Sequence, residues 1–195
     1  MSTQPLRFGL AGTGYWARVT HAPALSSTAG VELTAVWGRN SRAAAGLAAE
    51  YRATPHRDIE AFLAAVDAVC FAVPPDVQAP IATRAARAGK HLLLEKPVAL
   101  SEAEADGLVE AVERAGVASV VFFTQRFQPD VRAWLAEVEA RGGWAGGVSA
   151  WLGSLAANAR AGQTRHPCDV RFGRDVGGVL AEAQRQIDAG RARLS

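Results

Sequence analysis

Cysteine, methionine and lysine are all scarce in this chain. Two of its 195 residues are cysteine, Cys70 and Cys168, and one is methionine. Two thiols without a C-x-x-C pair exclude a disulfide framework and argue against a cysteine zinc site. The four histidines, at 21, 56, 91 and 166, lack the spacing of metal ligands, so no metal site is expected. No apolar run approaches the ~20 residues that a membrane-spanning helix needs. Met1–Pro5 is polar and lacks the basic-then-apolar pattern of a secretory leader, so a cytoplasmic location is expected. An excess of one charge is missing too. Twenty-one Lys and Arg stand against 19 Asp and Glu, a net charge of +2. That balance does not advertise a nucleic-acid surface. Only Lys90 and Lys96 among the basic residues are lysine. A lysine in so arginine-rich a chain suggests a need for a titratable amine. No Ser-His-Asp or nucleophile-elbow pattern is present.

What is present is a chain that is 49% hydrophobic and 21% charged, the mix of an ordinary globular protein able to bury a core. Strands are expected at 6–12, 31–37, 66–73, 91–94 and 117–123. Helices are expected at 15–28 (with Pro23 a kink or early stop), at 41–51 with Ser41 as N-cap, at 57–66 and at 76–88. A further helix opens at Ser101-Glu-Ala-Glu104, a capping-box pattern. The strands are near-continuous apolar runs rather than alternating ones. That is the pattern of strands buried on both faces of a parallel sheet. The expected class is therefore α/β, a doubly wound parallel sheet.

The first strand runs into Gly12-Thr13-Gly14-Tyr15-Trp16-Ala17, a G-x-G-x-x-A turn before a helix. Gly12 permits the tight turn, Gly14 lets backbone approach a pyrophosphate, and Ala17 keeps helix and strand close. The helix N-terminus adds free N–H groups and a positive dipole end. Dinucleotide binding is the expectation, with a purely structural glycine turn and an S-adenosylmethionine methyltransferase as alternatives. An acidic residue about 20 positions on would hold the ribose of NAD. Trp37-Gly38-Arg39-Asn40-Ser41 stands there without an acid. Arg39, with Asn40 and Ser41, suits a 2′-phosphate, and the small Gly38 leaves room for it, so NADP is expected ahead of NAD. Trp16 is placed beside the cofactor or on the helix surface. Glu95-Lys96-Pro97 follows a strand, at the sheet end where ligands bind in such folds. A primary amine there can exchange a proton with a substrate hydroxyl or carbonyl; arginine could not.

Four segments, in order and at matching spacing, carry a resemblance. They are Gly12–Ala17, Ala72-Val-Pro-Pro-Asp76, Gly89-Lys-His-Leu-Leu-Leu-Glu-Lys96-Pro97 and Gln125-Arg126-Phe127-Gln-Pro129. The chain resembles the N-terminal part of the Gfo/Idh/MocA oxidoreductases over roughly residues 6–155. The resemblance implies a Rossmann-type domain at 6–123 and NAD(P)-dependent hydride transfer to or from a hydroxyl-bearing carbon of a sugar, cyclitol or related small molecule. It implies that Lys96 is catalytic, at the nicotinamide and often before a cis proline, with Glu95 and Pro97 beside it. It implies that Pro74 and Pro75 line the cofactor and that Arg126 lies near the nicotinamide or at the entry to a second domain.

Family members continue into a substrate-holding α/β domain with a D-x-x-x-H pattern. Here 124–155 reads as the incomplete start of that domain and 156–195 as an irregular tail. Asp175-Val-Gly-Gly-Val179 is a poor echo of the pattern, with valine in the histidine's place. The alternative reading is a non-catalytic nucleotide-binding module or an inactive truncated fragment. An exposed sheet edge would invite association, and a homo-oligomer is possible on that ground.

Overall fold

The computed structural model describes residues 4–123, Leu155, 157–164, 170–171 and 173–174. Arg126, Cys168, His166 and the 175–179 segment lie outside the described residues. Six parallel strands form one sheet: β1 (Leu6–Ala11), β2 (Val31–Trp37), β3 (Thr54–His56), β4 (Ala68–Phe71), β5 (His91–Leu94) and β6 (Ser119–Val121). Their order is β3-β2-β1-β4-β5-β6, so the winding reverses between β1 and β4. Every pairing is parallel, as the unbroken apolar runs imply. The expected doubly wound α/β sheet is the one found.

Alternation along each strand feeds two cores. Ala68 and Cys70 of β4 face one side; Val69 and Phe71 face the other. Leu93 likewise opposes Leu92 and Leu94 in β5. The first side is covered by α1 (Ala22–Ser27) and α2 (Ser41–Glu50), through residues such as Leu25 and Leu47. The second is covered by α3 (Ile59–Ala64), α4 (Pro75–Arg87) and α5 (Glu102–Ala115). No described helix is long and apolar enough to cross a membrane.

Several boundaries differ from expectation for physical reasons. The helix expected at 15–28 opens at Tyr15 and is interrupted by a π-helical turn, Ala17–His21, in which the Ala22 N–H bonds to the Ala17 carbonyl. Pro23 then sits in the first turn of α1, where its missing N–H costs little. It does not stop the helix, which runs on to Ser27. The cap of α2 is Asn40, whose side-chain oxygen accepts from the Ala43 N–H at 3.0 Å; Ser41 is the first helical residue. β3 was not expected. It carries Pro55 and pairs on one side only, and an edge strand tolerates the missing donor. Within the stretch expected to be irregular, residues 157–160 are helical. Leu155 and Val170 are fully buried in the two cores, which anchors these segments to the sheet.

The capping box of α5 is present with one variation. Ser101 Oγ accepts from the Glu104 N–H at 3.2 Å, while Glu104 reaches back to the Leu100 N–H at 3.3 Å. At the other end Gly116 takes the left-handed conformation, with φ of 64°. Ser101→Ala is expected to cost about 1 kcal/mol, as loss of an N-cap does. Urea unfolding checks it; an unchanged midpoint would show that Glu104 alone suffices.

Candidate functional site

All six strands end on the same edge of the sheet, so the segments that follow β1, β2, β4 and β5 converge there. Three of them build a cleft of about 290 Å³ lined by Gly12, Thr13, Gly14, Gly38, Arg39, Asn40, Ala72, Val73 and Pro74. None of these residues is acidic. The turn is tightly seated. The Gly12 N–H donates to the Trp37 carbonyl at 2.8 Å, and Gly12 has φ of 132°. A Cβ on Gly12 would lie 2.3 Å from the Ala72 carbonyl oxygen. The glycine is therefore required by the approach of β1 to β4. Gly14 differs: a Cβ there would meet nothing within 4 Å, so its bareness keeps the cleft open.

Gly38 has a different role from the expected one. A Cβ on it would come 2.8 Å from the Thr13 side-chain methyl. Its small size makes room for Thr13 rather than for a phosphate. Arg39 is exposed at the rim, and Asn40 spends its side-chain oxygen on capping α2. Tyr15 and Trp16 are 70% and 61% exposed, pack edge-to-face on each other, and do not line the cleft. Ser41 and Pro75, the first residues of α2 and α4, also stand outside its lining.

Glu95-Lys96-Pro97 follows β5 at the same sheet edge. The Lys96–Pro97 peptide is cis, and Lys96 and Pro97 are exposed. This loop is held by two residues distant from it in the chain, Gln78 and His21. Gln78, fully buried on α4, donates from Nε2 to the carbonyls of Glu95 (2.8 Å), Pro97 (3.2 Å) and Val98 (3.2 Å). Its Oε1 accepts from the Glu95 N–H at 2.8 Å. The available signal was a polar residue on a helical stripe otherwise built of Ile81, Ala82 and Ala85.

His21 holds the loop from the opposite side. Its Nε2 lies 3.1 Å from Glu95 Oε1 and its Nδ1 lies 3.3 Å from Cys70 Sγ, with Phe122 edge-on to the ring. Burial disfavours the imidazolium, but Cys70 and the Glu95 carboxylate outweigh it and raise the pKa to about 10. At neutral pH the ring thus donates from Nε2 to Glu95. The Lys96 N–H in turn bonds to the other Glu95 oxygen at 3.2 Å. No group of three metal-ligating side chains occurs among the described residues.

Comparison with known proteins agrees with this architecture. Residues 6–123 match the model of the GFO_IDH_MocA family, described as an oxidoreductase family with an NAD-binding Rossmann fold. An inositol 2-dehydrogenase of Rhizobium meliloti is 36% identical over 130 residues, which are 66% of this chain and 39% of that protein. The 3-ketoreductase KijD10 of Actinomadura kijaniata, solved with NADP and TDP-benzene, superposes with a TM-score of 0.65 at 28% identity. That superposition covers 70% of this chain and 43% of KijD10. The WlbA dehydrogenase of Bordetella pertussis, solved with NADH and UDP-GlcNAcA, gives 0.65 at 27% identity over 70% of this chain and 42% of WlbA. The match spans about two fifths of the length of such curated relatives.

Proposed function

This chain belongs to the Gfo/Idh/MocA oxidoreductase family, and from that premise we propose that it binds NADP(H) in the glycine-turn cleft and acts in hydride transfer at a hydroxyl-bearing carbon of a sugar, cyclitol or related small molecule. The observation that carries the reading is the cleft itself. It is lined by Gly12, Gly14 and Gly38, of which Gly14 faces open space, has an exposed arginine at its rim, and has no carboxylate in its lining. A dinucleotide phosphate fits such a site in shape and charge. The free N–H groups of the helix that opens at Gly14 suit the pyrophosphate. Thr13, Gly12 and Gly14 form the cradle, and Tyr15 and Trp16 flank it from outside. Arg39, aided by Asn40 and Ser41, takes the 2′-phosphate. Pro74 walls the opposite side with Pro75 behind it at the start of α4, and Glu95, Lys96 and Pro97 hold the nicotinamide end.

The bound cofactor supplies the hydride acceptor or donor. Lys96 takes the proton from the substrate hydroxyl in oxidation and returns one to the carbonyl oxygen in reduction. A primary amine can exchange a proton with substrate, as a guanidinium cannot. Residues 124–155 are proposed as the start of the substrate domain and Arg126 as its link to the nicotinamide end. Small-molecule substrates fit this reading, because KijD10 was solved with TDP-benzene and WlbA with UDP-GlcNAcA.

Titration of the full chain with NADPH and NADH, followed by fluorescence and melting temperature, tests the proposal. A bound ligand raises the melting temperature by mass action. Arg39→Ser is expected to weaken NADPH binding roughly 10- to 100-fold, the loss of one charge-assisted hydrogen bond of about 1.5–3 kcal/mol. NADH binding should stay unchanged. Equal losses for both cofactors would remove Arg39 from the 2′-phosphate site. Cofactor binding without turnover of any sugar or cyclitol would leave a dinucleotide-binding module in place of an oxidoreductase.

A further inference from the structure

Gln78 holds more of the lysine loop than any other side chain among the described residues. The two polar ends of its amide meet four backbone groups: one N–H and three carbonyls, spread over Glu95, Pro97 and Val98. Only one orientation of the amide serves all four, since the carbonyls need the NH₂ side, with one of its two hydrogens shared between two of them, and the Glu95 N–H needs the oxygen. The side chain is completely buried, so water cannot substitute for it. The Gln78 N–H also bonds to the Pro74 carbonyl at 2.9 Å. Pro74 lines the glycine-turn cleft. One helical turn therefore touches the cleft at its first end and grips the lysine loop four residues on.

We propose that Gln78 is a positioning residue that sets Lys96 and the nicotinamide end of the site relative to the glycine-turn cleft. This rests on the dinucleotide reading given above. Gln78 touches neither substrate nor cofactor. It acts through the backbone of residues 95–98, whose polar groups would otherwise be buried unpaired or would pull the loop outward to find water. With the loop fixed, binding of the adenine half in the cleft brings the other half to a preformed surface. With it loose, the second half must order the loop at its own cost.

The test compares two ligands on the full chain: NADPH, and its adenine half, 2′-phospho-ADP-ribose. Gln78→Met keeps the volume and loses all four bonds. It is expected to leave the affinity for the adenine half within about twofold of wild type and to weaken NADPH about tenfold, the equivalent of one net hydrogen bond of about 1.4 kcal/mol. The change in emission of bound NADPH should be reduced in parallel. Amide exchange at Glu95 should quicken while β1 and β4 stay protected. Gln78→Glu keeps the acceptor for the Glu95 N–H and loses the donors. It makes the same comparison if the methionine variant does not fold, with the same expected split. Equal loss of both ligands would make Gln78 a structural residue only and overturn the proposal. So would unchanged NADPH binding with a freely exchanging loop. A wild-type chain that binds neither ligand would instead overturn the dinucleotide reading, and this inference with it.

Discussion

Gly12→Ala is expected to destabilise the chain by about 2–6 kcal/mol and to abolish cofactor binding with it. Two costs combine. The backbone at Gly12 has φ of 132°, which an L side chain rarely adopts, at about 1–3 kcal/mol. The added methyl would also lie 2.3 Å from the Ala72 carbonyl oxygen. That neighbour is backbone at the end of a central strand and cannot swing aside. Forcing it adds about 1–3 kcal/mol of overpacking. Domains are stable by only about 5–15 kcal/mol, so the variant should melt far lower. Gly14→Ala provides the contrast. Its methyl meets nothing within 4 Å, so the melting temperature should hold while dinucleotide binding falls. Calorimetry with and without NADPH reads both. A Gly12→Ala chain that melts like wild type would show that the β1–β4 approach is not as close as the structure has it. A Gly14→Ala chain that binds NADPH normally would move the pyrophosphate away from this turn.

Lys96→Met is expected to lower turnover about 10²- to 10⁴-fold, the usual contribution of a general acid–base group. NADPH affinity should fall far less than turnover, because the glycine-turn cleft is untouched and only the nicotinamide end loses a contact. The decisive companion is Lys96→Arg. It keeps the positive charge, but a guanidinium stays protonated throughout the assay range. Initial rates of NADPH oxidation with oxidised sugars, and of NADP reduction with polyols, make the comparison from pH 6 to 10. If the arginine variant retains wild-type rates, Lys96 serves as a fixed charge and proton transfer lies elsewhere. The expected result is that both variants are equally slow.

His21 and Gln78 explain why the loop that bears Lys96 can be specific without a long buried segment of its own. The imidazole pins the Glu95 carboxylate from one face of the sheet, and the amide pins the backbone from the other. The π-helical turn that carries His21 is the kind of local irregularity often retained where a side chain must be aimed. Neither link could be read from spacing. His21 and Glu95 are 74 residues apart, and Gln78 and Glu95 are 17 apart across a crossover.

The sequence by itself determined the order of every element but β3, the parallel sheet and the place of the glycine turn. These rest on local signals: apolar runs of strand length, caps such as Ser101, and glycines at fixed offsets after a strand. The cis Lys96–Pro97 bond, implied by resemblance, is present as well. Tertiary structure alone decided the rest. β3 exists because β2 offers an unpaired edge that even a proline-bearing segment can join. Asn40 rather than Ser41 caps α2 because its backbone is extended there while Ser41 has already entered the helix. Gly38 serves Thr13, and Gln78 serves the lysine loop, because residues distant in the chain arrive beside them. Periodicity records which way a side chain points within its own element; only the packed fold determines what it meets.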